Sequence, residues 1–181
     1  MSGPKGTEAS GQHLVLVGLM AAGKTTVGGQ CARRLGRPFV DTDELVEATA
    51  GMTVAEVFQL SGEGRFRALE REAVADACAS PAPAVIACGG GAVLHADNRR
   101  VLRAAGFVVW LQAPPPVLSE RLDGEAAGTQ RPLLSGGAAA TLERLAAVRA
   151  HAYEAVADDV VDTDGRSVDQ VTDAVLRVYR P

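Results

Sequence analysis

Lysine is almost absent from this chain. Of 18 basic residues only Lys5 and Lys24 are lysine, and the rest are arginine. No apolar run approaches the ~20 residues that a membrane-spanning helix needs. There is no basic excess either. Acidic residues number 22 against those 18, for a net charge of −4, which leaves no broad basic surface for nucleic acid or anionic lipid. Cysteine is scarce and odd in number. Cys31, Cys78 and Cys88 form no C-x-x-C pair, so they are expected as small buried residues, reduced, in the cytosol. His13, His95 and His151 are too far apart in sequence to make a local metal motif, and nothing suggests a structural zinc site.

What is present fits one globular domain: 181 residues, 47% hydrophobic and 22% charged. Met1 to Gln12 is glycine, serine and charge, too polar for the apolar stretch of a signal peptide, and is expected to be a disordered tail. From residue 13 onward, short apolar runs alternate with helix-type segments. Strands are expected at His13–Val17, Arg37–Val40, Ala84–Cys88, Phe107–Leu111 and Val160–Val161. Helices are expected at Gly23–Leu35, Glu44–Ala50, Val54–Leu60, Arg65–Ala79, Asn98–Ala105, from Pro114-Pro-Pro116 onward, Thr141–Ala157 and Val168–Tyr179, with Gly36, Gly51 and Gly62 as stops. Such alternation implies an α/β fold with a parallel sheet and helices on both faces. The stretch from Gly124 to Gly137 is polar and glycine-rich, as a mobile loop would be.

The strongest chemical signal is Gly18-Leu-Met-Ala-Ala-Gly23-Lys24-Thr25, which matches the phosphate-binding pattern G-x-x-x-x-G-K-[ST] between a buried strand and a helix. Glycines let backbone N–H groups turn inward around phosphate oxygens. The helix N-terminus adds partial positive charge, Lys24 reaches the outer phosphates, and the Thr25 hydroxyl can coordinate Mg²⁺. That one of the chain's two lysines stands here fits the chemistry, because the loop takes a compact point charge and a planar guanidinium suits it poorly. The same scarcity excludes a GTPase, whose guanine-reading N-K-x-D element needs a later lysine.

In an open α/β sheet, ligands bind beyond the carboxyl ends of the strands. Asp41-Thr-Asp43 follows the second strand and Gly89-Gly-Gly91 the third. An extended backbone would aim Asp41 and Asp43 to one side, one to organise Mg²⁺ and the other to accept a proton; alternatively, Asp43 only caps the next helix. The three glycines either admit a ligand close to the backbone or form a flexible turn. Arg67 and Glu70 share a helix face, as a surface ion pair would, and Arg131 and Arg149 are by themselves unremarkable.

Together these stretches resemble the shikimate kinase family from about His13 to Tyr179. The resemblance rests on the phosphate loop, Asp41-Thr-Asp43, Gly62-Glu-Gly-Arg-Phe-Arg-Ala-Leu-Glu70, Cys88-Gly-Gly-Gly-Ala92, Arg131-Pro-Leu-Leu134 and Arg149-Ala-His-Ala-Tyr153. It implies a single three-layer kinase domain over residues 13–181, with a five-stranded parallel sheet in the order 2-3-1-4-5. It also implies a mobile lid over about 123–137 and a substrate-binding helical region over about 43–72. The implied reaction is transfer of a phosphoryl group from ATP, with one Mg²⁺, to the 3-hydroxyl of shikimate, in a cytoplasmic monomer of aromatic amino acid biosynthesis with no nucleic-acid or membrane partner.

By the same resemblance Gly18, Ala21, Ala22, Gly23, Lys24, Thr25 and Thr26 hold ATP, and Thr25 and, through water, Asp41 hold the metal. Asp43 is the base and binds the substrate hydroxyls. Arg67, supported by Glu70, and Arg149 bind the substrate carboxylate, with backbone contacts from Gly90 and Gly91. Arg131 on the lid stabilises the transferring group, and Arg166 stacks on adenine. Two features depart from the family pattern: Ala21 replaces a usual glycine, and the stretch between Arg121 and Arg131 is about three residues longer than in many relatives; the third strand ends in Cys88 rather than the acid ordinary in P-loop enzymes, as it does in this family.

Gluconate kinases and nucleoside-monophosphate kinases share the phosphate loop and are the competing enzyme readings; a kinase-like binding module without catalysis is the competing reading of another class. Replacing Lys24→Ala is expected to abolish ATP-dependent turnover and leave the thermal melt unchanged, because it removes phosphate contacts and no core. Near-normal turnover at saturating ATP overturns the phosphate-loop assignment.

Overall fold

A computed structural model describes residues 11–125 and 138–179. Its centre is β1 (His13–Val17), in which every residue is buried. A strand paired on both edges and covered on both faces needs an unbroken apolar run, and Leu14-Val-Leu-Val17 is one. Four more strands complete the sheet: β2 (Phe39–Asp41), β3 (Val85–Ala87), β4 (Gly106–Gln112) and β5 (Asp159–Asp162). All pairings are parallel, in the order β2-β3-β1-β4-β5, with Val15 level with Ile86 on one side and Val108 on the other. The expected sheet order is therefore observed.

The helices are α1 (Lys24–Leu35), α2 (Thr42–Ala50), α3 (Val54–Ala79), α4 (Ala96–Ala105), α5 (Pro115–Glu125), α6 (Ala138–Val156) and α7 (Val168–Tyr179). α1 packs on α7, while α3, α4 and α6 pack each on the next, and α5 on α6. The main core lies between these helices and the sheet. The chain is closed near its ends by Tyr179, whose hydroxyl donates to the Gln12 carbonyl at 2.7 Å, with Arg37 on both. Gln12 is thus tied into the folded unit, while the remainder of the expected tail, residues 1–10, lies outside the described residues, as do 126–137 of the expected lid.

Several boundaries differ from the sequence reading, each for a local reason. β2 begins at Phe39 and not Arg37, since Pro38 has no N–H to give a ladder and its carbonyl instead accepts from Val85. α2 begins at Thr42, so Asp43 is helical rather than extended. The side chain that caps it is Asp41, whose Oδ1 accepts the Asp43 N–H at 3.0 Å. A short 3₁₀ turn at Ala92–Leu94, absent from the sequence reading, is held by Asn98, which donates to the Ala92 carbonyl.

The two helices expected either side of Gly62 run as one track broken at that residue, whose φ of 78° and ψ of 171° are not helical. The first part joins α2 in a small separate core of Val46 and Val57, to which the second part adds Phe66, Leu69 and Ala73. Its start is fixed by a reciprocal cap between Thr53 and Glu56, which holds the Glu56 carboxyl below its usual range. The second part packs on α4 and carries Arg67 and Glu70 toward the sheet.

The Gly62 conformation is one that only glycine adopts readily. Gly62→Ala is expected to cost about 1–3 kcal/mol, or about 2–4 °C of melting temperature per kcal/mol in a chain of this size. A melt as high as the parent's would mean that the helix can run straight through position 62.

Candidate functional site

The phosphate loop joins β1 to α1 at the carboxyl edge of the sheet, beside the ends of β2 and β3. A cavity of ≈ 230 Å³ opens there, lined by loop residues including Met20, Lys24, Thr25 and Thr26 and by Asp41, Asp43 and Gly90. The loop's turns rest on unusual backbone. Gly18 has φ 146°, and a Cβ there would collide with the Leu111 carbonyl. Gly23, with φ 90°, precedes α1 and supplies no side-chain acceptor, so the N–H groups opening that helix keep their donor capacity for an anion. Ala21 is the one described non-glycine residue with positive φ, at 60°. The loop backbone therefore keeps the left-handed turn that glycine would give, at a strain of roughly 1–2 kcal/mol.

Lys24 Nζ donates to the carbonyl of Leu19 in its own loop at 2.8 Å. Ala22 is buried, with its N–H toward the same carbonyl at 3.3 Å. The Thr25 hydroxyl donates to Asp41 Oδ2 at 2.8 Å. Asp41 thereby divides its two oxygens, one capping α2 and one meeting the phosphate loop.

The glycine triplet has a separate partner at each position. A Cβ on Gly89 would stand 2.5 Å from Asp43 Oδ1 and 3.2 Å from Glu70 Oε1. A Cβ on Gly91 would overlap the Arg67 guanidinium, and one on Gly90 would stand 3.4 Å from Arg149 Nη1. Two acids and two arginines thus lie over three residues of bare backbone. Arg67 is held by Glu70 at 2.7 Å and by Glu63 at 3.1 Å. Arg149, buried on α6, donates to the Gly90 carbonyl at 2.9 Å.

Glu70 is 2% exposed, and its Oε1 has no hydrogen-bond partner among the described residues. Burial pushes its carboxyl above the usual range, and Arg67 pulls it part of the way back. All three thiols are free, and burial pushes each up, Cys31 and Cys78 to about 11. Cys88 is buried at the end of β3, where it lines the same cavity.

Of the residues singled out in the sequence, the phosphate loop, Asp41, Asp43, Arg67, Gly90, Gly91 and Arg149 are therefore gathered at one edge of the sheet. Arg166 is exposed on the neighbouring segment between β5 and α7. Arg131 lies outside the described residues. The sequence reading gave no role to three contributors. Thr42 is fully buried and its Oγ1 accepts the Gly89 N–H at 2.9 Å. Tyr153 donates to the Gly90 carbonyl at 2.7 Å. Arg121 ties the loop to the segment after β5, with its guanidinium on the Ala21 carbonyl and on both oxygens of Thr163. A helical spacing of four from Arg149 could have marked Tyr153; the others pair across distances that a sequence pattern does not encode.

The shikimate kinase family model matches residues 20–180. The chain belongs to the shikimate kinase family. A shikimate kinase of Symbiobacterium thermophilum is 50% identical over 165 residues, covering 91% of this chain and 94% of the relative. One of Geobacter sulfurreducens is 42% identical over 173 residues, 95% and 93% of the two chains. Among solved structures, a shikimate kinase from Acinetobacter baumannii in complex with shikimate matches with a TM-score of 0.86 at 33% identity, over 92% of each chain. A gluconokinase from Sinorhizobium meliloti, at 19% identity and a TM-score of 0.56 over 93% of this chain and 91% of its own, shares the fold alone.

At the strained loop position, Ala21→Gly is expected to raise stability by up to about 1 kcal/mol, because relief of the left-handed strain outweighs glycine's extra unfolded-state entropy. A thermal melt reads this as a rise of about 2–4 °C, with KM for ATP unchanged. A lowered melt would show that Ala21 is unstrained.

Proposed function

We propose that this chain transfers the γ-phosphoryl group of ATP to the 3-hydroxyl of shikimate, giving shikimate 3-phosphate. The observation that carries this reading is the group of Asp43, Glu70, Arg67 and Arg149 over Gly89–Gly91, directly beside a phosphate loop. A small anion with several hydroxyls is met by arginines for its carboxylate and by an acid for its hydroxyls. The family membership and the bound shikimate of the Acinetobacter relative support the same substrate.

In this reading Lys24 exchanges the Leu19 carbonyl for the outer phosphates, and the N–H groups around Gly23 and the start of α1 hold the inner ones, with Gly18, Ala21, Ala22 and Thr26 shaping the cradle. Arg67 and Arg149 clamp the substrate carboxylate, assisted by backbone groups of Gly90 and Gly91. Asp43 orients the attacking hydroxyl and takes its proton. Arg131 closes from the lid over the transferring group, and Arg166 packs on the adenine.

Mg²⁺ suits the donors present. No described group of three His, Cys, Asp or Glu side chains converges, and among the described residues the Thr25 hydroxyl and, through water, Asp41, 2.8 Å apart, would hold the ion. A site with few protein oxygens is typical of Mg²⁺ that keeps its waters and shares the nucleotide phosphates. Such an ion neutralises charge that develops on the phosphoryl oxygens. We place the chain in the cytosol as a monomer, a location supported by its three free thiols.

A coupled ADP-release assay across shikimate, quinate, gluconate and nucleoside monophosphates tests the proposal. Shikimate-dependent release is expected; turnover with another acceptor in preference, or ATP binding with no turnover, overturns it. Asp43→Asn adds a sharper test. Because Asp41 and not Asp43 caps α2, asparagine at position 43 has no capping duty to preserve. Turnover is expected to fall by about 10²–10⁴-fold, as for loss of a general base, with the melt little changed. A stable, fully active variant removes Asp43 from the mechanism.

A further inference from the structure

We infer that Tyr153 is a positioning residue of the substrate pocket, holding the Gly90 carbonyl so that the Gly91 N–H stays aimed away from α6 when Arg149 turns to the substrate carboxylate. The inference rests on the shikimate kinase reading of the site. Three observations lead to it. First, the Gly90 carbonyl has two donors from one helix, Tyr153 Oη at 2.7 Å and Arg149 Nη1 at 2.9 Å. In a trans peptide the carbonyl and the next N–H point in opposite directions, so tying the Gly90 oxygen to α6 fixes which way the Gly91 N–H points. No described residue accepts a hydrogen bond from the Gly90 or Gly91 N–H.

Second, the two donors are unequal in their duties. Arg149 is a cation that a carboxylate ligand competes for, and once recruited it gives up part or all of its bond to Gly90. Tyr153 has no such competitor. Its ring is 1% exposed and stacked on Trp110, with centroids 5.3 Å apart, so the hydroxyl stays in place. Burial also pushes its ionisation up to about 12, which keeps it a donor throughout the physiological range.

Third, glycine makes this bond matter. A triplet without side chains has wide conformational freedom, and nothing at position 90 itself would stop the peptide from rotating. Thr42 fixes the amide end of the triplet through the Gly89 N–H. The Gly89 and Gly91 carbonyls accept the Ala92 and Leu94 N–H groups, and Tyr153 is the restraint on the Gly90 carbonyl between them, which remains when Arg149 is engaged.

The test is Tyr153→Phe, which keeps the ring and its stack and deletes the hydroxyl. KM for shikimate is expected to rise by about 3- to 10-fold, the loss of one hydrogen bond, while kcat and KM for ATP stay unchanged. The comparison variant is Val175→Ala, a fully buried core change on α7, which packs on α1 and β5; it should lower the melting temperature and leave KM for shikimate alone. If Tyr153→Phe lowers the melt with no change in shikimate KM, or shifts both KM values equally, Tyr153 is structural and the inference fails. A Tyr153→Phe chain that does not fold counts against it in the same way, because the hydroxyl would then be required by the fold. The parent protein separates this from the wider reading: absence of shikimate-dependent ADP release by the parent defeats the functional proposal, whereas an active parent with an unaltered variant defeats the role of Tyr153 alone.

Discussion

The proposed substrate side of the site depends on three consecutive glycines lying beneath two acids and two arginines. The ideal Cβ places of Gly89 and Gly91 are taken by Asp43 and Arg67, while one on Gly90 would stand in ordinary contact with Arg149 at 3.4 Å. Two acids and two arginines packed this closely would ordinarily compete for space with whatever lies beneath them. A bare backbone removes that competition and leaves polar N–H groups as a floor. The arrangement needs strong restraints because glycine supplies none. They come from the sheet, since β3 feeds straight into the triplet, from Thr42 at one end and from α6 in the middle. Adding a methyl group at Gly89 or Gly91 would displace a charged side chain rather than a flexible apolar one.

The proposed nucleotide side has a different logic, in which backbone geometry dominates over side-chain crowding. Ala21 shows how firmly that geometry is set: the loop adopts φ of 60° there even though alanine resists it. The surrounding bonds explain why. The Ala21 carbonyl is gripped by Arg121, the Leu19 carbonyl takes both Lys24 and the Ala22 N–H, and Gly18 is pressed against the Leu111 carbonyl. Strain of roughly 1–2 kcal/mol at one residue is affordable against so many fixed neighbours. Asp41 then links the two sides, capping the helix that bears Asp43 while accepting the Thr25 hydroxyl.

Much of this was legible in the sequence, for physical reasons that differ by element. β1 and α7 were read with their observed limits, because a fully buried strand is a continuous apolar run and a strongly amphipathic helix repeats every 3.6 residues. The phosphate loop was legible because its spacing is itself the mechanism. The Asp41-Thr-Asp43 segment was misread in conformation: period-two spacing suggested an extended backbone, but Asp41 ends the strand and caps, turning Asp43 into the first turn of a helix. The 3₁₀ turn at Ala92–Leu94 was missed because its hold, Asn98 on the Ala92 carbonyl, gives no periodic signal. Arg121 and Thr42 were missed because their value lies in partners 42 and 47 residues away. Arg67 was read with an ordinary surface ion pair as the alternative, and only burial distinguishes the two, since Glu70 is enclosed while Glu63 is exposed.

That enclosure has a thermodynamic sign. Glu70 has its folded-state pKa raised, chiefly by burial, so the fold favours its neutral form more than the unfolded chain does. Its contribution to stability is fully present below the ordinary glutamate range and is lost as pH rises through the raised value. Near neutral pH the acid therefore works against the fold, and Arg67 offsets only part of the effect. A core assembled for stability alone would place an apolar side chain at this position. Retaining a carboxylate with one bonded oxygen and one open oxygen, beside Asp43 and under the guanidinium of Arg67, makes sense where Arg67 must be aimed and still free to meet an anion. Glu63, the arginine's other partner, is exposed and yields easily to such a ligand, whereas Glu70 is not. The buried acid fixes the direction of the arginine, and the exposed one leaves its outer edge available.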